Sequence, residues 1–256
     1  MDLVQQVFLA LILGLLVVIV TFYFQTSSFT KSSTSKPTFL ILGINNAGKT
    51  GLYYKLMDED SKVSTVSSIE KNAGFINVPF SQKSIAKPYQ FIDYPGHMKY
   101  FNLLIKLITE IGLNKIKGIV FVIDSSAAQF NQSTHVLTKY LFNLLSITER
   151  TANGVDFLFA INKLDLFDSL PASKVQTILT EELNKLIQSE LSAIDKNESD
   201  VIDLETLREF WLSVIGNQKN KFSFDQLEGN MDFQSGSVLK NKLDSWKNWI
   251  DERVVN

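Results

Sequence analysis

"LILGINNAGKT" (residues 40–50) runs an apolar segment into a loop framed by Gly43 and Gly48 and closed by Lys49-Thr50. Residues 43–50 satisfy G-x-x-x-x-G-K-[ST] in full, with a strand expected before the loop and a helix after it. Glycines let backbone N–H groups wrap a chain of phosphates, and a helix N-terminus directs positive potential at them. Asn45, Asn46, Ala47, Gly48, Lys49, Thr50 and Gly51 are therefore the expected phosphate-binding residues. Lys49 supplies a point charge to the outer phosphates, and the Thr50 hydroxyl can ligate Mg²⁺.

Outward from this loop, short apolar runs alternate with longer helical stretches. Strands are predicted at 38–44, 74–80, 87–94, 117–125 and 155–162, and helices at 50–58, 98–114, 132–149 and 172–194. Near-continuous hydrophobicity marks strands covered on both faces. The 74–80 strand belongs near an edge, because Pro79 cannot donate to a ladder. The order predicts an α/β, P-loop fold: a mostly parallel central sheet flanked by helices, binding ligand at the carboxyl ends of its strands. "SVLKNKLDSWKNWIDERV" (237–254) reads as an amphipathic helix anchored in the core by Trp246 and Trp249. Residues 195–230 are acidic, then loop-like, and read as a solvated insertion. They fit a calcium loop poorly, because from Asp195 the sixth and twelfth positions hold Asp200 and Thr206 instead of Gly and Glu.

The 256-residue chain carries a formal net charge of −2 and no cysteine. Disulfides, thiolate metal sites and cysteine nucleophiles are excluded, and no concentrated basic face points to nucleic acid. Residues 3–24 hold no charge; as a helix at 1.5 Å per residue they span ~33 Å, enough to cross a bilayer core. A cleaved signal peptide would carry a basic start and a shorter apolar stretch, so a retained anchor is expected. Lys31 and Lys36 follow this segment while Asp2 precedes it, which places the bulk of the chain on the cytosolic side. The sequons at Asn131 and Asn197 should then stay unmodified.

Two further motifs choose the nucleotide. In "AINKLD", Asp165 can accept from the adjacent N1–H and N2–H₂ donors of guanine, an edge adenine lacks, while Asn162 and Lys163 frame the base and the phosphate loop. "FIDYPGH" ends a strand in Asp93-x-x-Gly96: the carboxylate can hold Mg²⁺ through water, and the Gly96 N–H can sense a γ-phosphate.

These three elements resemble the Ras-like GTPase superfamily over residues 37–252. The anchor joined directly to the domain, "DYPGH", "SITE" and "WKNWIDE" look more narrowly like the beta-subunit family of the signal recognition particle receptor. That resemblance implies a transmembrane anchor at 1–25, a linker at 26–36 and a GTPase domain at 37–256. It implies GTP and Mg²⁺ as ligands, a place in the endoplasmic reticulum membrane, and capture of the receptor alpha subunit's N-terminal domain by the GTP form. Ribosome docking at the translocon follows from the same family likeness.

Departures from the superfamily pattern sit at the switches. His97 replaces the catalytic glutamine and is the one catalytic candidate, so hydrolysis is expected to be slow or partner-triggered. Thr65, Ser67 and Ser68 all offer a hydroxyl for the switch I metal position, and the family's "TSI" favours Ser67. Ser235 and Gly236 are the expected N–H donors to guanine O6. A scaffold whose nucleotide never cycles is the competing reading. A vesicle-coat GTPase of the Arf/Sar type is another, but Asp2 forbids N-myristoylation and the first segment is not amphipathic.

Overall fold

A computed structural model describes residues 36–61, 68–194, 202–216 and 220–255, all within the unit Lys36–Asn256. The segment read as an anchor, 1–25, and the linker lie outside the described residues, as does Ser67. No helix among the described residues is long and apolar enough to cross a membrane.

Six strands form one sheet: β1 (Thr38–Leu42), β2 (Asn72–Val78), β3 (Lys87–Asp93), β4 (Ile116–Asp124), β5 (Phe157–Asn162) and β6 (Met231–Ser235). Their order is β2-β3-β1-β4-β5-β6. Only the β2–β3 pair is antiparallel, with Asn72 opposite Asp93. β2 is an edge strand, and Pro79 follows directly after it. The helices are α1 (Lys49–Met57), α2 (Phe101–Ile111), α3 (Ala127–Thr148), α4 (Ala172–Ile194), α5 (Ile202–Ile215) and α6 (Asp244–Val255).

Period-two alternation sends neighbouring side chains of each central strand into opposite layers. Leu40 and Leu42 join Ile92, Phe121 and Phe159 under α2–α5, whereas Phe39 and Ile41 join Val120, Val122 and Leu158 under α1 and α6. The expected 98–114 helix is divided: a 3-10 turn at Met98–Tyr100 precedes α2, which ends where Gly112 turns to φ 84°. Trp246 and Trp249 are buried as anticipated, each satisfying its indole N–H, on the Gln234 carbonyl at 3.0 Å and the Asp232 carboxylate at 2.7 Å.

The reading of 195–230 as a solvated insertion does not hold for its described part. Trp211 of α5 is fully buried, stacked on Phe142 at 4.9 Å and edge-on to Phe222 at 5.6 Å. Phe222 and Phe224 carry the aromatic layer onward to Phe159 and Phe233. The acidic composition of the segment hid an apolar set, Trp211, Ile215, Phe222, Phe224 and Leu227, that joins the α3–α4 side of the core.

Candidate functional site

The phosphate loop leaves β1 through Gly43, whose φ is 133°; a Cβ there would stand 2.3 Å from the Val122 carbonyl oxygen. Only glycine fits so close to β4. Lys49 opens α1, is 7% exposed, and donates to the Ile44 carbonyl at 2.8 Å. Burial lowers its pKa to about 8, opposed by the negative charge of Asp93. A phosphate chain in the loop would supply the compensating charge that this ammonium lacks.

Beside it, Asp93 ends β3 with no solvent exposure. Its Oδ2 accepts from the Thr50 hydroxyl at 2.7 Å and from the Asn72 amide at 2.8 Å, and its Oδ1 is buried without a partner. Burial pushes this carboxyl above its usual range, against the downward pull of the Asn72 and Thr50 bonds and of Lys49. Ser68, one of the three candidate switch I hydroxyls, lies 3.0 Å from the Thr50 hydroxyl. One carboxylate and two hydroxyls, with a buried oxygen unspent, fit Mg²⁺, which keeps waters and phosphate oxygens as its other ligands. Among the described residues no group of three or more acidic, His or Cys side chains gathers around a metal position.

Gly96 is pressed against the phosphate loop: a Cβ would meet the Gly43 oxygen at 2.5 Å and the Asn45 nitrogen at 2.6 Å. His97 is exposed, and its Nδ1 accepts the Lys99 N–H at 3.1 Å. In a neutral ring that bond leaves the proton on Nε2, a donor and not a base. As oriented, His97 caps the 3-10 turn at Met98–Tyr100.

At the far end of the site, Asn162 closes β5 and is 3% exposed. Its Nδ2 donates to the Ala47 carbonyl at 2.8 Å, and its Oδ1 accepts the Val238 N–H at 3.0 Å. Lys163, with φ 69°, extends its ammonium to within 2.5 Å of the buried Asp124 carboxylate. Asp165 Oδ1 accepts the Ser237 hydroxyl. Ser235 is the last residue of β6, and the Gly236 N–H is spent on the Ile161 carbonyl at 2.9 Å. That corrects the assignment of Gly236 as a base donor; Ser235, one residue earlier, closes β6 in register with Ile161. The loop that meets Asp165 and Asn162 begins at Ser237, two residues later than expected. Ser237, Val238, Asp124 and Asn72 were not foreseen. The one signal for Ser237 was a hydroxyl residue downstream of a lone carboxylate that needs orienting.

A phosphate loop on β1, a buried carboxylate on β3 and an Asn-Lys-x-Asp turn on β5 of such a sheet define a small GTPase of the Ras-like and Arf-like kind. The family model described as "Signal recognition particle receptor beta subunit" matches residues 34–231. The beta subunit of Saccharomyces cerevisiae is 32% identical over 227 residues, covering 88% of this chain and 87% of that one. The chain belongs to the signal recognition particle receptor beta subunit family. Among solved structures, one titled for the mammalian SRP receptor aligns with TM-score 0.66 and 21% identity over 84% of this chain and 99% of that one. A Chaetomium thermophilum structure, titled as an SRb-GTP/SRX complex, gives 0.65 and 20% over 86% and 99%. At these identities the two structures speak for the fold.

Proposed function

We propose that this chain is the membrane-anchored, GTP-binding subunit of a signal recognition particle receptor. Its GTP-bound form holds the receptor alpha subunit and supports cotranslational targeting at the endoplasmic reticulum. The observation that carries the reading is the joining of two half-sites through one side chain: Asn162 ties the phosphate loop at Ala47 to the loop at Val238, beside Asp165. That geometry supports Lys49 and Gly96 as phosphate contacts and Asp165 as the reader of guanine. Thr50, Asp93 and Ser68 would hold Mg²⁺, which neutralises phosphate charge when bound. The uncharged run at 3–24 supports single-pass anchoring with the domain in the cytosol.

The test is the nucleotide released from purified full-length protein, identified by chromatography, together with capture of the alpha subunit's N-terminal domain by chain loaded with GTP or GDP. Guanine nucleotide in the pocket and capture by the GTP form alone support the reading. Capture that ignores the nucleotide defeats it. The engagement of His97 Nδ1 by Lys99 favours a second reading, a scaffold that holds nucleotide without turnover. Single-turnover hydrolysis, with and without the partner, separates the two.

A further inference from the structure

Asn72 lies outside every motif, yet its amide reaches the most buried acid of the site. It opens β2 directly opposite Asp93 in the antiparallel register and donates to Asp93 Oδ2 at 2.8 Å. The same oxygen takes the Thr50 hydroxyl at 2.7 Å. Two donors on Oδ2 and none on Oδ1 make the carboxylate asymmetric: one oxygen is saturated by protein, and the other is buried and unspent. A carboxylate on a single sp³–sp² torsion turns easily unless both its position and its plane are held. Thr50 alone gives one point of attachment; Asn72, from the neighbouring strand, gives the second.

We infer that Asn72 is a positioning residue for the metal: by occupying Asp93 Oδ2 it keeps Oδ1 as the oxygen presented to the hydrated Mg²⁺. This rests on the reading of the pocket as a Mg²⁺–guanine-nucleotide site. Outer partners of this kind change metal affinity by roughly 10–100-fold when removed. The link also makes the metal site sensitive to strand register. A slip of β2 along β3 would carry Asn72 away from Asp93, because a one-residue shift reverses the face each side chain takes.

The experiment uses the full chain loaded with fluorescent GDP and follows nucleotide dissociation over a Mg²⁺ titration and, separately, in excess chelator. Asn72→Leu keeps the number and branching of the side-chain heavy atoms and removes the donor. The expected result is a Mg²⁺ midpoint raised by roughly 10–100-fold, with dissociation in chelator within about twofold of the unmodified chain. An unchanged midpoint overturns the inference. So does an equal acceleration in both conditions, which marks a general loosening of the pocket. If Asn72→Leu lowers the thermal midpoint too far to load, Asn72→Ser takes its place under the same two criteria. An unmodified chain that fails to bind fluorescent GDP refutes the nucleotide reading itself, a result distinct from either outcome at Asn72.

Discussion

Replacing Asp165 with asparagine isolates the base-reading step. Asp165 Oδ1 accepts the Ser237 hydroxyl, and an asparagine amide oxygen can accept it equally well. The substitution therefore keeps the side chain's orientation and turns its other end from an acceptor into an NH₂ donor. Guanine then loses a charged acceptor for N1–H and N2–H₂ and meets a donor in its place. A hydrogen bond to a charged group is worth about 1.5–3 kcal/mol, and a buried donor left unpaired costs about 1–3 kcal/mol. A total near 3–4 kcal/mol corresponds to GTP binding roughly 100–1,000-fold weaker. Xanthine, with a carbonyl oxygen at C2, accepts from the new amide and recovers much of that loss. Competition of GTP and XTP against fluorescent GDP, at fixed Mg²⁺, measures both. GTP affinity that stays unchanged, or XTP affinity that fails to rise, refutes Asp165 as the guanine reader.

Other consequences follow from burial and charge. Lys49→Ala removes the ammonium from the phosphate loop and should abolish measurable nucleotide binding by equilibrium dialysis, with the fold retained by circular dichroism. Because burial lowers the Lys49 pKa to about 8 and phosphate charge raises it again, binding should take up protons. Affinity should accordingly fall as the pH rises through 8, and calorimetry in buffers of different ionisation heat should register the uptake. Trp211→Ala opens a cavity between Phe142 and Phe222 and should cost about 3–5 kcal/mol in denaturant unfolding. Glu149 is held above its ordinary value of 4.5 by burial, against the bonds its carboxylate accepts from the Glu228 and Gly229 N–H groups. Relative to the unfolded chain, a raised carboxyl favours folding below pH 4.5 and loses that contribution as the pH passes its folded value. The stability of Glu149→Gln relative to the unmodified chain should therefore be highest at neutral pH and decline on acidification, as read by thermal melts across pH.

Five of the six strands were legible because apolar runs announce them; β6 (Met231–Ser235), half-buried along its length, was not among them. Residues 39–42, 118–123 and 157–161 are buried and carry no polar side chain, and Asp124 and Asn162 appear only at the carboxyl ends. The phosphate loop and the Asn-Lys-x-Asp turn were legible for a different reason: their chemistry dictates residue type at fixed spacing. Two parts resisted. α5 hid its core role because its first turns carry Asp203, Glu205, Arg208 and Glu209 and follow an acidic run, so the segment's composition reads as surface although it ends in the mostly apolar stretch from Phe210 to Ile215. The base-side loop was placed two residues early because backbone pairing decides which N–H groups are free. β6 runs to Ser235 and the Gly236 N–H still bonds to β5, a fact carried by the ladder and not by residue type. Asn72 could not be found at all without the register that sets it opposite Asp93.

The amide of Asn162 grips the Ala47 carbonyl with one end and the Val238 N–H with the other, so the span from phosphate cradle to base edge is built into the polypeptide. The cleft is then a ruler. On the proposed reading, a ligand that fills both ends must span that fixed distance between base and phosphates. On that reading, length joins the identity of the base as a condition for occupancy.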